Sequence, residues 1–157
     1  MRARDLLFDN HAHVPALSAL DGLTESHAES RLEHAPHSIA EIVMHLAFWQ
    51  EWFCGRCEGS GDPLPPSAAL GWPAPAPASW DAVRARFAAG LERAAALGDG
   101  DTARPISPSI EYPPLAEYTV GDAIGHMAAH NAHHLGQIVL LRQMLGVWPP
   151  PSGSYTW

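Results

Sequence analysis

The chain lacks most of what would commit it to a membrane, a nucleic acid or a disulfide framework. No apolar run approaches the roughly 18 residues of a membrane span. No cluster of basic side chains stands out, and nine basic residues against seventeen acidic ones give a formal net charge of −8. An acidic chain of this kind is a poor partner for nucleic acid or for anionic lipid. The opening Met1-Arg2-Ala3-Arg4-Asp5 soon meets Asp9 and His11, so no signal-peptide core is visible and a soluble cytoplasmic protein is the expectation. Cysteine is scarce: the only two form Cys54-Gly55-Arg56-Cys57. Two cysteines exclude a Cys₄ zinc site but leave open a redox couple or half of a mixed site. This pair falls near a predicted helix C-terminus, where the helix dipole disfavours a thiolate, so two ordinary reduced cysteines are expected. Strand-like alternation and internal repeats are missing as well.

What is present is 157 residues, 46% of them hydrophobic, enough for one domain over residues 1–157 with its own core. The fifteen prolines and thirteen glycines gather in clusters that mark the joints between four helical blocks. The first block covers residues 3–23, with Pro15 implying a kink or a break. The second opens on a capping box, Ser38-Ile39-Ala40-Glu41, carries Ile42, Leu46, Trp49 and Phe53 at helical spacing, and ends before Gly59. A Pro/Gly-rich connection fills residues 58–77. Ser79 then caps a third helix from Trp80 to about Leu97, with Val83, Phe87 and Leu91 on one stripe. Residues 98–118 are irregular. Thr119-Val120-Gly121-Asp122 opens a fourth helix that runs to about Leu145, with Gly146 as its stop. The expected fold is an all-α four-helix bundle. About twenty residues between the second and third helices can cross the bundle length and leave those two helices parallel.

Ten histidines are the chemically informative feature, and four of them lie between His126 and His134. Imidazole is the commonest metal-ligating side chain. Helical phase sorts the four. With about 100° per residue and His130 at zero, Val120, Met127, Ile138 and Leu145 fall at about 60° to 80° and define the core stripe. His134, at about 40°, lies inside it and His130 on its edge, whereas His126 and His133 turn towards the rim. On the second helix, His45 borders the face that carries Ile42, Trp49 and Phe53. His45, His130 and His134 are therefore candidates for a shared ion, since bundle cores build metal sites from facing helices. The competing reading is three hydrogen-bonded core histidines, each of which would need polar partners in an apolar setting. His11, His13, His27, His34 and His37 read as surface residues. Gln137 lies near the ligand face at about −20° and could orient a ligand or substrate. Glu41 is explained as a cap, and Glu51 and Glu58 as solvated. Trp49, Trp52 and the tail aromatics Trp148, Tyr155 and Trp157 could wall a cavity, with Trp49 read as core and the tail as a possible lid.

The stretch from His37 to Trp49 resembles the second helix of the DinB/YfiT-like superfamily, the DNA-damage-inducible type of four-helix bundle. His130-Asn131-Ala132-His133-His134-Leu135-Gly136-Gln137-Ile138 resembles that family's H-x-x-x-H-x-G-Q-I signature, and Leu145 to Gly153 resembles an ending found in a subgroup. The resemblance implies an up-down-down-up bundle with a long crossover between helices 2 and 3, a divalent metal (Zn, Ni or Fe) on His45, His130 and His134, and a homodimer. It also implies a small-molecule substrate, and activities of the thiol S-transferase kind with a low-molecular-weight thiol, or metal-dependent hydrolysis. His133 stands where that family often has an aromatic residue and could serve as a supporting or substrate-facing base. The contrasting reading is a non-catalytic metal-binding or stress-associated interaction protein.

Overall fold

A computed structural model describes residues 2–8, 13–72 and 79–154. In chain order the helices are α1 (Ala3–Phe8), α2 (Glu25–Glu29), α3 (Ile39–Cys57), α4 (Trp80–Leu97) and α5 (Val120–Met144), with 3-10 turns at Ser18–Leu20 and Ala68–Gly71. Three long helices thus dominate. Among the described residues there is no strand, only an isolated bridge between Pro105 and Thr119.

The long helices begin where their caps dictate. The Ser38 hydroxyl accepts from the Glu41 N–H at 3.3 Å, and the Glu41 carboxylate accepts from the Ser38 N–H at 2.8 Å. Thr119 and Asp122 repeat the exchange at the start of α5. At α4 the Ser79 hydroxyl accepts from the Ala82 N–H at 3.3 Å. Each cap satisfies amide donors that the first helical turn leaves without partners. At the far end of α5, Gly146 takes φ +71° and the Val147 N–H reaches the Arg142 carbonyl at 3.0 Å, the closing bonds of a left-handed glycine stop.

The first block departs from expectation. Ala16, Ala19, Leu20 and Leu23 are spaced as on a helix and are all buried, yet only one 3-10 turn forms there. Pro15 withholds an amide and restricts Val14. The segment's carbonyls find another partner: Arg142, 1% exposed, donates to the Ala19 carbonyl at 2.6 Å and to the Val147 carbonyl at 2.9 Å. Thr24 then caps the short α2.

The core lies where α3, α4 and α5 meet, around Val43, Leu46, Phe87, Leu91, Leu135 and Ile138, all buried to 1% exposure or less. On the outside, Glu51 pairs with Arg86 and Glu58 with Arg93 through both carboxylate oxygens, so these glutamates are paired rather than merely solvated. From one pair to the next, the register advances seven residues on each helix. Such pairs contribute under about 1 kcal/mol apiece at the surface, so they fix register more than stability. Cys54 and Cys57 are free and buried, and burial pushes their thiols up to about 12 and about 11. They are inert at neutral pH, as their place at the helix end leads one to expect. Among the described residues no helix is long and apolar enough to cross a membrane.

Candidate metal centre

His45 enters the core from α3, two turns after its cap, and His130 and His134 meet it from α5. His45 and His134 are each 6% exposed and His130 is half-buried. The His130 Nε2 lies 3.1 Å from the His45 Nε2 and 3.1 Å from the His134 Nε2. The candidate donor atoms of the three all lie within 4.8 Å of one another, a group that could hold a metal ion.

The outer ring nitrogens decide what the inner ones are. The His45 Nδ1 is 2.6 Å from the Gly71 carbonyl oxygen. A backbone carbonyl only accepts, so that Nδ1 carries the proton and the His45 Nε2 presents a lone pair. The His134 Nδ1 is 2.7 Å from the Gln137 Oε1, while the Gln137 amide nitrogen is 3.2 Å from the His133 Nε2. With the amide in that orientation, His134 also turns a lone pair inward. Two lone pairs then face the single His130 Nε2, whose one proton can satisfy at most one of them. A buried acceptor without a donor costs about 1 to 3 kcal/mol, and a cation among the three nitrogens removes the conflict. Protonation offers no escape. Burial holds His45 down at about 4 and His130 at about 3, and lowers His134 as well, so all three are neutral near pH 7. A neutral imidazole steadied by a carbonyl acceptor on its far nitrogen is the usual form of a metal-binding histidine. The donor set therefore fits a divalent ion.

A DinB-superfamily model matches residues 14–138. The chain belongs to the DinB superfamily. No curated protein matches it. The match takes in all three clustered histidines and Gln137.

The rim assignments from helical phase hold in this DinB-superfamily chain. His126 and His133 are exposed. His126 stands 3.2 Å from the Tyr118 hydroxyl, with its ring centre 6.5 Å from that of His130. His133 reaches the cluster only through Gln137. Trp49 is half-buried against the core, edge-on to His45 at 6.5 Å between ring centres. Beyond Trp49 opens a hollow of about 770 Å³ that Tyr112 and Arg56 also line. Trp148 lies under Arg142 at 5.4 Å rather than near the histidines, and Tyr155, Trp157 and His11 fall outside the described residues.

Three contributors escaped sequence reasoning. Gly71 supplies the carbonyl that fixes His45. Trp72 lays its indole on the His45 ring at 3.8 Å and 10°. His37, read as a surface residue, stacks on the other side of that indole at 3.7 Å and 7°. The result is a sandwich of His37, Trp72 and His45. Gly71 is required by close approach: a Cβ there would stand 2.5 Å from the Trp49 Nε1. Nothing local marks Gly71 or Trp72, which sit in the Pro-rich connection. The one available signal for His37 was its place directly before the cap of the helix that carries His45.

Proposed function

We propose that this chain is a metal-dependent enzyme in which His45, His130 and His134 hold one divalent ion, and that its chemistry is activation of a thiol or of water. The observation that carries the reading is the convergence of three neutral imidazoles whose far nitrogens, on His45 and His134, are steadied by carbonyl oxygens. Three protein donors are the composition of a catalytic rather than a structural zinc site. When bound, the ion supplies a Lewis acid that brings a coordinated thiol or water close to ionisation at neutral pH. Zinc, nickel and iron(II) all accept imidazole, so the donor set alone does not choose among them. Among the described residues the cluster contains no carboxylate to offset the ion's charge, which favours an anionic thiolate or hydroxide beside it. Gln137 orients His134, and His133 in turn orients Gln137. Transfer to or from a low-molecular-weight thiol is the preferred reaction, and hydrolysis uses the same site with water in its place.

The same reading extends to architecture. The two Glu–Arg pairs advance together along α3 and α4, which supports parallel helices joined by a crossover over residues 58–79. Contacts from α3 to α5 run the other way, from His45 with His134 to Phe53 with His126. With the N-terminal segment as the remaining layer, we propose an up-down-down-up bundle. We further propose a homodimer that works in the cytoplasm on a small molecule.

Metal analysis of protein purified without a histidine tag tests the proposal. About one equivalent per chain, lost in His130→Ala, is the expected result. Less than about half an equivalent, unchanged in the variant, sinks the site. Transfer assays with several low-molecular-weight thiols follow on metal-loaded protein. Full occupancy with no turnover of any thiol or ester would favour a non-catalytic metal-binding protein.

A further inference from the structure

The face of α5 that brings His134 to the cluster does not end there. Residues three, seven and ten further on share it: Gln137, Leu141 and Met144. They form one wall of a hollow of about 340 Å³, and Ile42, Trp72 and the turn over residues 33–37 form the others. His134 itself lines this hollow, so a molecule bound in it lies against the candidate metal centre. Its volume is at the lower end of the range of small-molecule sites.

We propose that this hollow receives the uncharged, apolar part of the substrate, a reading that rests on the metal centre described above. Much of the wall is hydrocarbon, and two of its large apolar side chains are left open to water: Leu140 is 56% exposed and Met144 57%. The polar groups are few and convergent, as in sites where a small number of hydrogen bonds set orientation. Gln137 stands beside His134. His37 also lines the hollow, its ring stacked on Trp72. His34, at φ +66°, is the one non-glycine among the described residues with a left-handed backbone, and it forms part of the rim.

Charge selects the occupant. Among the described residues no arginine lines the hollow, and the chain has no lysine. Arg31, behind the turn, is held by Glu41 and by the Pro36 carbonyl. Among the described residues Glu33 is the only carboxylate in the lining. A carboxylate or phosphate lying against these walls, out of reach of the metal centre, would lose water without gaining a cation from the protein, a cost of several kcal/mol in apolar surroundings. A neutral aryl or short alkyl group has no such penalty and covers apolar side chains that are now wet.

Benzyl alcohol and benzoate, of matched shape, one neutral and one anionic, make the test on metal-free protein with methyl-labelled Ile, Leu and Met, because a bound zinc ion would itself attract the carboxylate. Benzyl alcohol is expected to produce saturable shifts centred on the Ile42, Leu140, Leu141 and Met144 methyls, with benzoate at least about ten-fold weaker. Met144→Glu and Leu140→Glu alter exposed positions and should fold. Each is expected to weaken benzyl alcohol at least about ten-fold, with zinc uptake, measured separately on each variant, unchanged. Equal binding of benzoate overturns the proposal, as do shifts centred on the hollow beside Trp49. Broadening of the same methyls with protein concentration alone, abolished together with self-association by Met144→Glu, would make the face a contact between two copies and overturn it too. Zinc uptake is read on zinc-loaded portions of the same preparations. A chain that binds benzyl alcohol here but takes up no zinc keeps the apolar site and overturns the metal reading instead.

Discussion

Replacing Gln137 by leucine should weaken metal binding about 10- to 100-fold without unfolding the chain. The Gln137 Oε1 is 2.7 Å from the His134 Nδ1, and no other acceptor reaches that nitrogen among the described residues. Leucine leaves the N–H of a ring only 6% exposed without a partner. Two consequences follow. The ring is free to adopt the other tautomer, which turns a proton rather than a lone pair towards the ion. The Nε2 that remains is also a weaker base, because no acceptor draws on the opposite N–H. Loss of such a support typically costs 10- to 100-fold in affinity, or about 1.4 to 2.7 kcal/mol. Gln137 is itself exposed, so the substitution removes little packing.

Competition with a chromophoric chelator on zinc-loaded, tag-free protein reads the change. Gln137→Glu should retain or raise the affinity, because a carboxylate accepts the same proton more strongly. His133→Ala should alter it less than about 3-fold, since His133 lies one hydrogen bond further out. If the leucine variant binds zinc within about 3-fold of the parent, the argument from the His134 Nδ1 is wrong. If His133→Ala costs as much as Gln137→Leu, the order of the chain is wrong.

Gly71→Ala should destabilise the fold by about 1 to 3 kcal/mol, because its Cβ would press on the Trp49 indole, and should weaken zinc binding by displacing the carbonyl on His45. Urea midpoints with and without zinc measure both effects, and an unchanged midpoint would count against the close approach. For metal-free protein, stability should fall as pH drops below about 6.5. His45 and His130 have ordinary values of 6.5 unfolded but about 4 and about 3 folded, so between those limits the unfolded chain binds more protons. Above pH 6.5 both states are neutral and the two groups add no further pH dependence. A urea midpoint that is equal or higher at pH 5 than at pH 7.5 would refute the assignment of buried neutral imidazoles.

The three long helices were legible because their ends are local chemistry. A hydroxyl three residues before a carboxylate closes its cap whatever lies beyond it, as at Ser38 and Thr119, and the Ser79 hydroxyl caps α4 by itself. The first block was not legible in the same way. Its apolar residues repeat at helical spacing, but Pro15 breaks the ladder, and the side chain that receives the freed Ala19 carbonyl is Arg142, 123 residues later. The site divides along the same line. Phase alone placed His45, His130 and His134 inward, because each sits on a helix whose core stripe is readable. Gly71, Trp72 and the stacking of His37 depend on the path that a Pro-rich connection takes over the bundle, and a loop's path is set by what it lands on rather than by its own pattern.

That division bears on how the centre is held. The helices alone bring three nitrogens together but fix neither ring of the pair His45 and His134. Rotation about the Cβ–Cγ bond, or a change of tautomer, would leave an N–H pointing inward. Gly71 removes that freedom from His45 with its carbonyl, and Trp72 removes the remaining tilt by stacking on the ring face. Gln137 does the equivalent for His134 from within α5. Among the described residues His130 has no comparable anchor beyond its two histidine neighbours, and it is the least buried of the three. Two rings are thus set in advance and the third adapts. An ion entering such a site needs to order only one side chain, so most of the entropy of assembling the donors is lost in folding and not in binding. The crossover connection, which looked like a spacer between helices, is in this arrangement part of the centre.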